Sequence, residues 1–198
     1  MKKFLTVLLA MILLTAATTA HAEKTPVRLA RLPIILQSSV PDSDTCAELE
    51  VKIARAVHIP LNGTLQLVDY IPPKESAQVL HDIWKNIRAT NKNATIQDAI
   101  RPLAAELDAD IIVCPILNRY GEYTSYSARR FGEAFLTSHA RAELIVYDRR
   151  TDDFIDKKAT QYYHDEYSTR GTASFLAKVC FDRVIEDTGL RKLIIAIR

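Results

Sequence analysis

The chain has 198 residues, 48% of them apolar and 25% charged, with a formal net charge of +2. That balance fits an ordinary soluble globule and excludes a disordered tract, a collagen-like repeat and a coiled coil. Three cysteines are too few for a disulfide scaffold, and five glycines leave no room for a Gly-rich phosphate loop.

Residues 1–22 read as an address. Lys2 and Lys3 begin it, Phe4 to Leu14 is apolar, and small residues lead to Ala20-His21-Ala22. This is the pattern of a secretory signal peptide cleaved after Ala22. The apolar run is only half of the roughly 20 residues that span a bilayer, which disfavours a membrane anchor. Glu23 stands where a lipoprotein would carry a cysteine. The expectation is a mature bacterial protein, 23–198, periplasmic or secreted, with no lipid anchor and no membrane-spanning segment. Losing Lys2 and Lys3 leaves the basic residues equal in number to the 24 acidic ones. A neutral chain of mixed sign carries no global field for nucleic acid or an anionic membrane, so neither is expected as a partner.

Val27 to Leu36 is rich in branched apolar residues and predicts a strand interrupted near Pro33. Pro41 to Thr45 supplies a breaker, a cap and an early acid for a helix, along which Cys46, Leu49, Ile53 and Val57 form one stripe. Pro60 and Asn62-Gly63 stop it, and Thr64 to Ile71 predicts a second strand. After Pro72-Pro73, Ala77, Leu80, Trp84 and Ile87 mark the inner stripe of a helix, with Ile83 beside it. Thr95 to Asp98 resembles a capping box. Ile96, Ile100, Leu103 and Leu107 continue at helical spacing, with a kink or a new short helix expected at Pro102.

Asp110 to Tyr120 opens as a near-continuous apolar run, the mark of a strand covered on both faces. Residues 121–133 are Tyr/Arg-rich and polar, a loop or a frayed strand end. Clear alternation follows. Leu136, Ser138, Ala140, Ala142, Leu144 and Val146 share a small, apolar face, and Phe135, Thr137, His139, Arg141, Glu143, Ile145 and Tyr147 share a mostly polar one. Phe154 to Tyr167 returns as the hairpin partner, near a sheet edge because it alternates poorly. Thr172 to Asp187 predicts a last helix with Leu176, Val179, Cys180 and Val184 inward and Gly189 as its stop. Leu193 to Ile197 is either a short strand or more helix. The order β-α-β-α-α-β-β-β-α, without repeats or composition breaks, predicts one three-layer α/β (α+β) domain with a mixed sheet.

The chemistry is sparse. There is no G-x-S-x-G elbow, no H-x-x-x-H, no H-E-x-x-H and no C-x-x-C, and Asp42-x-Asp44 lacks the rest of a calcium loop, so neither metal nor cofactor is expected. Cys114 falls in a buried strand, wrong for an activated thiolate. Cys46 and Cys180 both fall on inner helical stripes and could bond if their Cα atoms come within about 7 Å. Asn62-Gly63-Thr64 and Asn93-Ala94-Thr95 match the glycosylation pattern by chance in a chain whose address is bacterial. Two constellations remain. His139, Arg141 and Glu143 on one strand with Tyr162, His164 and Glu166 on its partner offer an acid/base pair, or else an exposed face laced by cross-strand contacts, according to register. Tyr120, Tyr123, Tyr126, Arg129, Arg130 and Phe131 are residue types that anchor protein interfaces.

Arg28-Leu29-Ala30-Arg31-Leu32-Pro33-Ile34 and Leu107-Asp108-Ala109-Asp110-Ile111-Ile112-Val113 resemble the opening strand and the helix-to-strand signature of a family of bacterial envelope domains. The family comprises the amino-terminal domain of TolB, the curli-secretion lipoprotein and the lipoprotein activators of penicillin-binding proteins. The resemblance spans roughly 27–188 in element order and implies a non-enzymatic envelope protein that binds other proteins. It transfers no site residue. The chain departs from the family at Pro115, where a glycine is common and where a bulge or edge is therefore expected, and in lacking the lipid-anchor cysteine.

These readings converge on an exported module that binds an envelope or secreted protein through Tyr120, Tyr123, Tyr126, Arg129, Arg130, Phe131 and Arg141. The rivals are a hydrolase using His139 or His164 with Glu143 or Glu166, and a small-ligand binder in a cleft at the carboxyl ends of the strands. Oligomeric state is left open.

Overall fold

The computed structural model describes residues 26–57, 68–126 and 134–195. The address at 1–22, the Asn62-Gly63 turn, the first half of the second strand, Arg129, Arg130, Phe131 and Ile197 lie outside them. In chain order the elements are β1 (Val27–Arg31), β2 (Ile35–Leu36), α1 (Ser43–Val57), β3 (Val68–Ile71), α2 (Pro73–Thr90) and α3 (Ile96–Glu106). Then come β4 (Ile111–Tyr126), β5 (Ala134–Asp148), β6 (Asp153–Glu166), a 3-10 turn (Thr169–Gly171), α4 (Ala173–Thr188) and α5 (Leu190–Ile195). The sheet runs β3-β1-β4-β5-β6, with β2 also on β4. Its β1, β2, β3 half is parallel, and β4, β5 and β6 are antiparallel. The predicted order and the mixed sheet are both present, and β6 lies at the edge as expected.

Helices cover both faces, giving three layers. On one side Leu29, Ile111, Val113, Ala140, Ala142, Leu144 and Val146 pack under α1, α4 and α5, represented by Leu49, Ile53, Phe181, Val184 and Ile194. On the other Ala30, Ile112, Cys114, Ile116, Ile145 and Tyr147 pack under α3 through Ile100, Leu103 and Ala104, with Val79, Leu80 and Ile83 of α2 half-buried beside them. Each large apolar side chain fully buried here contributes about 1.5–3 kcal/mol. The mostly polar face expected of β5 therefore ends in two core residues, Ile145 and Tyr147.

Local corrections have local causes. The buried stripe of α1 is Thr45, Leu49, Ile53, Ala56 and Val57, because Asp42 caps Thr45 through both its backbone N–H (2.8 Å) and its hydroxyl (2.7 Å). That rotation leaves Cys46 half-exposed, its thiol 3.7 Å from the Pro41 carbonyl, while the Cys180 thiol lies 3.5 Å from the Ala140 carbonyl on the sheet. All three cysteines are free, so the Cys46–Cys180 bond is not formed. Phe181, rather than Val179, completes the inner face of α4. Helix α3 runs unbroken through Pro102, with the Thr95 N–H (2.7 Å) and hydroxyl (3.0 Å) both bonded to Asp98 at its start. Gly189 stops α4 in the left-handed region (φ 60°), and the segment after it is helix α5 rather than strand.

Pro115 sits opposite Leu144 in the middle of β4, at neither edge nor bulge. The Val113 and Leu117 carbonyls accept from Leu32 N–H (2.9 Å) and Gln37 N–H (3.1 Å). Residue 115 therefore faces the gap between β1 and β2, where no donor is asked of it. Glu50 holds that gap open by accepting from Ile34 N–H (2.9 Å) and from buried Arg31. The irregularity in β4 falls instead between Leu117 and Arg119.

Candidate functional site

Above Glu143 the three antiparallel strands continue past the helices on one side only. Their cross-strand rows on that side are Arg119–Arg141–Thr160, Gly121–His139–Tyr162, Tyr123–Thr137–His164 and Ser125–Phe135–Glu166. The reverse side is closed: Leu136, Ser138 and Ala140 are buried, and the Ser138 hydroxyl bonds the Gly171 carbonyl before α4. On the open side Tyr123 is 59% and Tyr162 66% exposed. Among the described residues no helix covers this side, and the result is a three-stranded platform of aromatic, histidine and arginine side chains in which Thr137 is buried between its neighbours.

The register puts His139, Arg141, Glu143, Tyr162, His164 and Glu166 on this one face, as the alternation implied. It does not pair histidine with carboxylate. His164 Nδ1 bonds Thr137 Oγ1 at 2.7 Å, and its ring stacks between Phe135 (6.2 Å) and Tyr162 (6.5 Å). His139 lies across Gly121. Glu143, four residues along the strand and so about 13 Å from His139, is buried and accepts from Asn118 Nδ2 (3.0 Å), with Lys158 at 3.3 Å. Arg119 and Arg141 face each other across β4 and β5, and no carboxylate among the described residues forms an ion pair with either. Such an opposed like-charge pair is unfavourable until an anion joins it.

Of the two alternatives for 121–133, the strand end holds as far as Tyr126: Tyr120, Tyr123 and Tyr126 all lie on strand β4 and divide between its faces. After the irregularity at Leu117/Arg119, even-numbered residues turn to the helix side. Tyr120 packs half-buried against the α1/α4 core, and Tyr126, opposite Ala134, follows the same side. Tyr123 alone joins the platform.

Below the platform a cleft of about 780 Å³ separates the sheet from α2 and α3. Leu80 and Trp84 of α2, Ile35 of β2 and Ile116 of β4 form its walls, and Asn118, Glu143 and Lys158 its polar end. Trp84, read from sequence as inner stripe, is half-buried at this opening, and among the described residues only Ser76 of α2 is fully buried. Its one sequence signal was being the sole tryptophan of the chain. Among the described residues no three His, Cys, Asp or Glu are placed to hold a metal ion, and no helix is long and apolar enough to cross a membrane.

No protein-family model matches the chain, nor does any curated protein sequence. Among solved structures it is similar to the PelC dodecamer of Paraburkholderia phytofirmans, at 13% identity and TM-score 0.38, over 82% of this chain and 87% of that one. It is also similar to lipoprotein GNA1162 of Neisseria meningitidis, at 20% identity and TM-score 0.38, over 81% and 99% of the two chains. A third is the hypothetical protein CT253 of Chlamydia trachomatis, at 14% identity and TM-score 0.42, over 86% and 98%. At these identities and TM-scores no function is transferred, and the reading below rests on the chain's own residues.

Proposed function

We propose that the protein is exported to a bacterial envelope and acts there as a non-enzymatic binding module that takes a protein partner on the open platform. The carrying observation is the asymmetry of β4, β5 and β6: sealed by α4 on one face and, among the described residues, covered by no helix on the other, which is aromatic and cationic. Tyr123 and Tyr162 supply rigid apolar area with polar tips, and the opposed Arg119 and Arg141 call for an acidic group from the partner. The export pattern at 1–22 supports the compartment. Arg129, Arg130 and Phe131 remain part of the proposed surface by their residue types. The His164–Thr137 bond and the engagement of Glu143 by Asn118 and Lys158 favour binding over acid/base chemistry.

The test is photo-crosslinking in cells from positions 123 and 162, followed by mass spectrometry. One envelope protein captured from both positions, and captured at least about tenfold less by Tyr123→Ala/Tyr162→Ala/Arg141→Ala at unchanged Tm, is the expected result. Capture unaffected by the triple substitution sinks the assignment. The cleft favours a second reading, a small apolar ligand, for which Trp84 fluorescence is a direct reporter. A saturable spectral shift with apolar probes, lost in Leu80→Glu, would support it.

A further inference from the structure

Strand β6 is the outermost strand of the sheet, and among the described residues nothing pairs with its free side. It is a long, regular edge. Its 14 residues match β5 one for one without a register shift, and it contains neither proline nor glycine. Sheets usually blunt such an edge with short strands, bulges, proline or charge, because its open N–H and C=O groups template another strand. Here charge is the device present, in Asp153, Asp156, Lys157, Lys158, Asp165 and Glu166.

The outward groups follow from the ladder. The Val113 carbonyl accepts from Leu32 N–H, so Val113 turns its backbone to β1. Cys114 then faces β5, its partner Ile145 faces β4, and Leu144 and Val146 face β6. Odd-numbered residues of β6 therefore bond β5. Lys158, Thr160, Tyr162 and His164 present their backbone groups outward. At the end of the strand the Glu166 carbonyl accepts from the Tyr163 hydroxyl (2.6 Å) and its N–H donates to Asp165 Oδ1 (2.8 Å), leaving Glu166 its side chain for a partner. All five residues are exposed.

We infer that this edge receives a second copy of the chain, β6 against β6, antiparallel, about a two-fold axis at Tyr162. Charge selects the occupant. The strand is basic at 157–158, where Lys158 already meets Asp156 (2.9 Å) and Glu143 (3.3 Å) of its own chain, and acidic at 165–166, so its own sequence running the other way adds an acid to a base at each end. A two-fold axis normal to the sheet keeps faces together, so only residues of like parity can be opposed. With Tyr162 on the axis, Lys158 of each copy meets Glu166 of the other, Thr160 meets His164, and no like charges are opposed. With Gln161 on the axis, Asp156 would meet Glu166, which is unfavourable. The lysines that deter other strands favour this one. The two platforms join into one surface across the axis. The inference goes beyond the partner-binding reading and stands or falls separately from it.

Sedimentation velocity over a wide concentration range tests it. The expected result is a monomer–dimer equilibrium. Thr160→Pro removes an outward donor and no bond to β5, so it abolishes the dimer with circular dichroism and Tm unchanged. Glu166→Lys opposes like charges and raises the dimer Kd about tenfold or more, and adding Lys158→Glu to the same chain restores it. A monomer at every concentration, a dimer indifferent to Thr160→Pro, or a folded double variant that fails to restore association each overturns the inference.

Discussion

His139 rests its imidazole directly over the Cα of Gly121: a Cβ built there would stand 2.8 Å from Cε1 of the ring. The cross-strand pair thus works only because β4 has no side chain at that point. Gly121→Ala must push the ring off its strand, and since the near atoms are the free end of a side chain, the fold should give up little. The expected outcome is a Tm change within a few degrees, displaced His139 ring resonances in the NMR spectrum, and weaker partner capture. Unmoved imidazole signals would refute the contact.

Gly171 presents the opposite case. A Cβ there would lie 2.4 Å from Cε1 of Tyr163, and that ring cannot swing away. It packs on the α4 core, and its hydroxyl bonds the Glu166 carbonyl at 2.6 Å. Gly171→Ala should therefore destabilise the protein by about 1–3 kcal/mol through overpacking. Tyr163→Leu in the same chain should recover part of that loss. Chemical denaturation of the three variants decides it.

The thiols give a third prediction. Burial pushes the Cys180 thiol up to about 11 and the wholly buried Cys114 well above its ordinary value. Partial burial and the nearby Asp42 and Glu50 carboxylates raise Cys46 as well. At neutral pH a thiol reagent should label one site in the native protein, slowly, and three after unfolding without reductant. Fewer than three would mean that a disulfide forms.

Asp152 ties the β5–β6 turn to α3. Arg101 donates to both its oxygens at 2.9 and 3.0 Å, and the Tyr147 hydroxyl donates at 2.9 Å. These bonds, Arg101 first, hold its carboxyl below the ordinary carboxylate range. A depressed native pKa adds stability that is complete above the unfolded value near 4 and is lost as pH falls through the native one. Asp152→Asn keeps the side-chain type that tolerates the left-handed backbone at this position (φ 58°). It should flatten the fall in urea midpoint between about pH 5 and 2. An unchanged acid limb would contradict the pairing.

The face of β5 was legible in the sequence because alternation from Leu136 to Val146 is a direct image of the pleat. The fate of the three tyrosines was not. The irregularity between Leu117 and Arg119 inverts the parity of β4 beyond it, and Ile116-Leu117-Asn118-Arg119 carries no glycine or proline to announce it. Cys46 misled for a similar reason: Asp42 bonding Thr45 fixes where the helix turns begin, and one residue of rotation exchanges the buried position for a half-exposed one. The stripe of Leu80 and Trp84 was visible as a stripe, but whether a neighbour covers it depends on how far α3 reaches, which periodicity does not encode. Pro115 was readable as a missing donor, while its solution required knowing that β1 breaks opposite it.

The two halves of the sheet differ in how far along the chain their partners lie. In the antiparallel half each strand neighbours the next in sequence, whereas Arg28 of β1 meets Asp110 from 82 positions away. Loop closure makes the second kind of contact the slower to form. The meander of β4, β5 and β6 is thus the natural nucleus of folding, with amides that should resist hydrogen exchange longest. Strand β1, made before the strands it pairs with, is among the last to find its place.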